Sequence, residues 1–487
     1  MRLNLQNKPI PLYLWAALIS ATFLLHGFSA FGLPVGIFAD DFVQIALAQS
    51  LRHGRFGFLD WMHLPVTNVM PAFPAMLAAP AWLAEPHWAW LRIIPLLSAW
   101  MAIYGAWRIA RASLPPTEAG LTAALVAIHP SLVQYTGAVL PDLPYVGLTA
   151  YLVWRFSERK ERGPIWGLAA GAASASLMRP FGCLLALSFA FALWRREGRR
   201  GLQFLAVSMA PLGAWLLRNR LASGVASGYL SDWALQMQAK ASLWEQTKNA
   251  GRIVAFLFVR SLALLDGMPA WPTAALGMGL LALACYGAWL FLRQDRGAWR
   301  LAVVGYTASL LAVYATWNVA SGRYVLPLLP FALLFLFLAA RDLLSGYRLP
   351  AGLALLLWSS LAFRRDAGIA RRADFSAPET LSQTMEWIRT NTPESARFQA
   401  VNAAQVLVMA GRPAASPPWD SSDAATWFDR SKRDGFQYLL ICPRLRPSGY
   451  SNTSVERLLT ELPKWARGQG AAVQYRNDEE GTAVFRF

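Results

Sequence analysis

The chain has 487 residues, of which 55% are hydrophobic and only 15% charged, with 22 Trp and a formal net charge of +17. Soluble domains carry about a quarter charged residues, so one soluble globule is excluded. The basic residues sit in short clusters between long apolar runs, which is the charge pattern of membrane loops and argues against a nucleic-acid-binding surface.

Arg2 and Lys8 precede a first span at about 11–33 and place the N-terminus in the cytoplasm. No small-residue cleavage pattern accompanies it, so it reads as a retained span rather than a signal peptide. The loop at about 34–87 is then extracytoplasmic. It opens with Asp40-Asp41, followed by Phe42, Ile45, Leu47, Ala48 and Leu51 near helical spacing. Acids at a helix start are favoured by the free N–H groups and the macrodipole. The same two are candidate catalytic carboxylates at a membrane surface. Pro71, Pro74 and Pro80 divide the rest of the loop into short interfacial helices.

Spans follow at about 88–107 and 118–135. The turn Pro141-Asp142-Leu143-Pro144 leads into a span that ends at Arg155. Arg155, Arg159, Lys160 and Arg162 mark the cytoplasmic side. Two spans divided at Met178-Arg179-Pro180 end in Arg195, Arg196, Arg199 and Arg200, and a span at about 201–217 leads out to Arg218 and Arg220. Residues 221–272 read as an outer loop with an interfacial or re-entrant helix, because Arg252 and Arg260 closely flank the apolar run between them. Spans at about 273–292, 300–318, 325–340 and 349–363 bring the total to about eleven and leave the C-terminus outside. The expected fold class is a polytopic α-helical membrane protein over 1–363, with a soluble α/β domain over 364–487. In that domain Ser376-x-x-Glu379 has the form of a capping box before a helix through Trp387 and Ile388. Residues 436–442 read as a buried strand, and 472–475 with 482–485 as a closing strand pair.

Cys183, Cys285 and Cys442 are scattered and show no metal-site spacing. The chain lacks a Walker loop, a GxSxG elbow, an HExxH helix and a dinucleotide fingerprint, which argues against ATP-driven transport by this chain alone. Under the expected topology Asp40, Asp41, His53, His63, Asp142, Arg179, Arg218, Arg220 and Arg323 share the outer face. A carboxylate can take the proton of an attacking hydroxyl, and an arginine fork can hold a phosphate leaving group. Plainer roles compete: Asp142 as a turn residue, Arg179, Arg218 and Arg220 as interfacial anchors, the histidines as surface residues. Arg323 stands apart, since Ser321-Gly322-Arg323-Tyr324 lies at an outer turn where the charge rule disfavours arginine.

Asp40-Asp41 after the first span, with the helix that follows and Gly54, resembles the first outer loop of polyprenyl-phosphate-dependent glycosyltransferases of the GT-C fold. The likeness is to the protein O-mannosyltransferase and aminoarabinose transferase group (glycosyltransferase family 39-like). Residues 70–77, Met178-Arg179-Pro180 and the run from Gly322 to Pro330 resemble further recurring pieces. Residues 386–393 and 438–443 resemble the group's periplasmic domain. The resemblance implies a bacterial inner-membrane enzyme that moves a sugar, with inversion, from a polyprenyl-phosphate donor to a protein, lipid or glycan hydroxyl on the outer side. It implies that Asp40 is the general base, although Asp41 stands where Glu is usual and either acid could act. It also implies that Arg323, beside Tyr324, holds the lipid phosphate, with Asp142 and Arg179 contributing to substrate binding. Some GT-C enzymes hold a divalent metal at such acids; too few ligands converge here to assign one. Two other classes remain open: a transporter or flippase of lipid-linked sugars, and a non-catalytic envelope assembly protein.

Overall fold

The computed structural model describes residues 12–32, 35–36, 38, 40–58, 65–85, 87–228, 231, 233–234, 242–265, 267–295, 297–317, 321–343, 348–371, 381–400, 402–415, 431–442, 468 and 471–487. His63 and the Ser376–Glu379 capping box lie outside these residues. The chain divides into two compact units.

The first unit comprises Met1–Gly32, Thr67–Phe73 and Arg92–Arg372. Its helices are α1 (Leu12–Gly32), α4 (Ile93–Arg111), α5 (Pro116–Ala127), α6 (Pro130–Thr136), α7 (Asp142–Ser157), α8 (Trp166–Met178), α9 (Gly182–Glu197), α10 (Arg199–Ser223), α11 (Leu243–Ala255), α12 (Ala270–Gln294), α13 (Ala298–Thr316), α14 (Leu329–Leu343) and α15 (Arg348–Arg371). Small residues set the packing. A Cβ on Gly147 of α7 would stand 2.6 Å from the Ser98 carbonyl oxygen of α4, so these two helices meet backbone to backbone. Among the described residues, three helical stretches are long and apolar enough to cross a bilayer: Trp88–Arg111, Ala270–Gln294 and Ala298–Thr316. Others are shorter than the eleven-span reading expects. At 1.5 Å per residue, the 13 residues of α8 cover about 20 Å of a roughly 30 Å core.

The expected span at 118–135 is two helices. Pro130 lacks the N–H that would continue α5, and His129 caps the new start by accepting from the Ser131 N–H at 3.2 Å. The other His129 nitrogen donates to the Ser261 carbonyl (2.9 Å), and His26 donates to the freed Ala127 carbonyl (2.9 Å). In the 221–272 region, α11 runs into a π-helical turn, Phe256–Leu262, whose Leu257, Phe258, Val259 and Leu262 are buried. On the α9–α10 side, Glu197 accepts from Arg159 (2.5 Å) and Arg200 (3.1 Å), tying together the cluster that the sequence marks as cytoplasmic.

The second unit comprises Leu33–Val66, Pro74–Leu91 and Ala373–Phe487. It contains α2 (Asp40–Arg52), most of α3 (Ala72–Ala84), α16 (Ser382–Asn391), and a short helix α17 (Ala403–Gln405) that continues as a π-helical turn to Ala410. The strands are β1 (Phe398–Ala400), β2 (Ala414–Ala415), β3 (Tyr438–Ile441), β4 (Ala472–Asn477) and β5 (Thr482–Arg486), ordered β2-β1-β3-β5-β4. The first three are parallel; β5 and β4 close the sheet antiparallel. Leu381, Met385, Ile388, Phe398, Val406, Leu440 and Val484 form the core beneath α16. Glu480 anchors the start of α16 by accepting from the Gln383 and Thr384 N–H groups at 2.8 and 2.9 Å. It does the work expected of a box residue from the turn between β4 and β5, 97 positions away, rather than from within the helix.

Candidate active site

In the first unit, three pieces of chain that are far apart in sequence meet. Asp142 is the first residue of α7. Arg179 follows α8 in an extended conformation (φ −140°, ψ 138°), which turns its side chain out of the helical path. Its guanidinium donates to the Asp142 carboxylate, and the two side chains are only 11% and 7% exposed. The third piece is the 3₁₀ turn Gly322–Val325. The Arg323 guanidinium lies 5.8 Å from the Tyr324 ring centre, and Tyr324 stacks on Tyr314 of α13 at 4.9 Å. Tyr135, at the end of α6, links the pieces: its hydroxyl lies beside Ser321 and within reach of the charges of Asp142, Arg323 and Arg179. The Asp142 and Arg179 charges also reach the buried Tyr314 hydroxyl. Phe181, just after Arg179, packs its edge against Tyr314 at 5.2 Å. The result is a set of charged groups walled by aromatic rings.

Asp142, Arg179, Arg323 and Tyr324 are thus brought together. Sequence reasoning missed Tyr135, Tyr314 and Phe181. Phe181 directly follows the Met178-Arg179-Pro180 piece and could have been included, whereas Tyr314 lies inside an apolar run with no local signal. Arg218 and Arg220 have local partners: Arg218 lies 5.0 Å from the Trp215 ring centre, and Arg220 donates to the Gly224 carbonyl at the end of α10.

The acid pair belongs to the second unit. Asp41 is fully buried, and its carboxylate accepts the Gly36 N–H at 3.1 Å while its own N–H donates to the Phe38 carbonyl at 2.9 Å. Gly36 has φ +99°, and a Cβ there would stand 2.3 Å from the Phe42 ring, so only glycine fits this turn. Asp40, one residue earlier, is half-buried at the helix start. The two adjacent acids therefore differ: Asp41 holds the turn into α2, and Asp40 is the more open carboxylate.

Among the described residues no three His, Cys, Asp or Glu side chains come together as a metal site, and Asp142 is engaged by Arg179.

The fold is that of the GT-C membrane glycosyltransferases. Residues 68–218 match the family described as dolichyl-phosphate-mannose-protein mannosyltransferase, a segment that carries Asp142 and Arg179. ArnT from Cupriavidus metallidurans bound to undecaprenyl phosphate is similar over 98% of both chains, with a TM-score of 0.64 and 12% identity. The same protein in the apo state gives a TM-score of 0.61 over 97% of both chains, at 11% identity. The Archaeoglobus fulgidus oligosaccharyltransferase complexed with Zn and sulfate is 13% identical, with a TM-score of 0.56 over 87% of this chain and 67% of its own. No curated protein matches by sequence.

Proposed function

We propose that this integral membrane protein transfers a sugar from a polyprenyl-phosphate donor to an acceptor hydroxyl on the extracytoplasmic face, with inversion at the anomeric carbon. The observation that carries this reading is the full-length likeness to a GT-C protein whose structure is bound to undecaprenyl phosphate. The clustering of Arg323, Arg179 and Asp142 supports it from this chain's own residues. In the proposed step the acceptor oxygen forms a bond to the anomeric carbon as the bond from that carbon to the phosphate oxygen breaks. The acceptor proton passes to Asp40, and the lipid phosphate leaves with its charge. Asp40 is the base because it is the more open acid; Asp41 fixes the turn that presents it. Arg323 holds the phosphate, Tyr324 and Tyr314 wall it, and Asp142 fixes the direction of the Arg179 guanidinium. The membrane is the bacterial inner membrane, with the N-terminus cytoplasmic and the C-terminal domain outside. The acceptor is a protein, lipid or glycan hydroxyl.

The test uses purified protein in lipid vesicles supplied with polyprenyl-phosphate-linked sugars. Release of polyprenyl phosphate together with a new glycosidic product supports transfer. Movement of intact donor across the bilayer with no released lipid phosphate identifies a flippase and refutes the proposal. Arg323→Ala should weaken donor binding about 10-fold or more, the scale of one lost charge-assisted hydrogen bond.

A further inference from the structure

The acid pair sits on a helix that is buried nearly all round. Asp41, Phe42, Gln44, Ile45, Ala46, Leu47, Ala48 and Ser50 are all buried in the 13-residue α2. Such a helix needs a partner on more than one face, unlike an amphipathic helix lying on a surface. One partner is the segment Ala403–Ala410 of the C-terminal domain, which α2 packs against along both its helical and its π-helical part. The burial of that segment has two sides. Ala403, Val406 and Ala410 belong to the core under the sheet. Ala404 (3% exposed) and Val408 (8% exposed) lie one helical turn apart, are buried as well, and stand outside that core cluster. Among the described elements, α2 packs against this segment and can cover them.

We infer that Ala404 and Val408 form the seat of the acid helix, so that the C-terminal domain positions Asp40 for catalysis. This inference rests on the reading of Asp40 as the base and extends it. The segment follows β1 directly, and the parallel pairs β1–β2 and β1–β3 fix where it starts. Ala404 is small, which lets α2 come close; a larger side chain there must push the helix away. A group that transfers a proton must stay within hydrogen-bond reach of the reacting hydroxyl, so a displacement on the order of 1 Å costs on the order of 100-fold in rate. Ala404 and Val408 are positioning residues: they act through α2 and touch no substrate in this account.

The test uses the full chain. Ala404→Leu should lower kcat at least 10-fold and leave the KM for the polyprenyl-phosphate donor near wild type in the protein that folds. Ala404→Ser should restore turnover. Hydrogen–deuterium exchange should rise in the peptide covering residues 40–52 and stay unchanged in β3 and β5. If Ala404→Leu fails to fold, Val408→Ala is read by the same three measurements with a smaller expected loss of turnover. Unchanged kcat and unchanged exchange at 40–52 overturn the seat. Asp40→Asn in the same assay separates the two ideas: an inactive Asp40→Asn beside a fully active Ala404→Leu removes the seat alone, while an active Asp40→Asn removes the base itself.

Discussion

Asp142 and Arg179 offer a prediction whose size follows from burial. Their side chains are 7% and 11% exposed, so the weak coupling of surface ion pairs, about 0–1 kcal/mol, does not apply. Removing one member of a buried pair leaves the other charge desolvated and costs about 3–5 kcal/mol. Asp142→Asn and Arg179→Met should each cause that loss. The double variant leaves no lone buried charge and should lose much less than the sum of the two, with a coupling energy near the top of the usual 0.5–3 kcal/mol range. The assay is detergent-induced unfolding of the four proteins in mixed micelles, followed by tryptophan fluorescence from the 22 indoles. Single losses below about 1 kcal/mol, or additivity within about 0.5 kcal/mol, would refute the pair as a structural clamp. Activity adds a second reading. If Asp142 serves to aim Arg179, Asp142→Asn should raise the donor KM more than it lowers kcat.

Other expectations follow from single positions. Asp366, beyond the expected 349–363 span, is 3% exposed; one of its carboxylate oxygens has no hydrogen-bond partner among the described residues, and burial pushes its carboxyl up to about 8. The folded chain therefore holds this proton more tightly than the unfolded chain, so the contribution is whole below about pH 4 and falls as pH rises toward 8. Asp366→Asn should raise the thermal midpoint at pH 8.5 and leave it unchanged near pH 4; parallel midpoint curves would contradict this. Gly147→Ala must displace α7 from the Ser98 carbonyl and should cost about 1–3 kcal/mol, read as a lower thermal midpoint; an unchanged midpoint would show that the helices give way freely. Glu197 is held below the usual carboxylate range by the Arg159 hydrogen bond first, then by the Arg159 and Arg200 charges. Its contribution is present above about pH 4.5 and lost on acidification, so Glu197→Gln should weaken the pH dependence of stability below that value.

The sequence carried the local features well, because their causes are local. Asp40 begins a helix as the acid pair suggests, and Pro180 with Gly182 separates α8 from α9 where the turn was expected. The strand pair at 472–477 and 482–486 follows from alternation around a turn. Hydropathy hid the break at Pro130, since apolar residues continue on both sides and the cap comes from His129, a residue with no special spacing. It also underestimated α15, which runs to Arg371 past the apolar stretch, with Arg365 donating to the Arg260 carbonyl at 3.0 Å. At the site, each charged residue was visible one at a time. The Asp142–Arg179 pairing spans 37 positions, and the attachment of α2 to Ala403–Ala410 spans most of the chain. Contacts of that kind have no local pattern to read.

The central claim is that Asp40 takes the acceptor proton. Its most direct measurement is the single-turnover rate of polyprenyl-phosphate release by wild type and Asp40→Asn, with donor binding measured on the same samples. General-base catalysis contributes about 100- to 10,000-fold, so the account predicts a rate loss in that range with donor affinity unchanged within about 3-fold. Release by Asp40→Asn at the wild-type rate would contradict it.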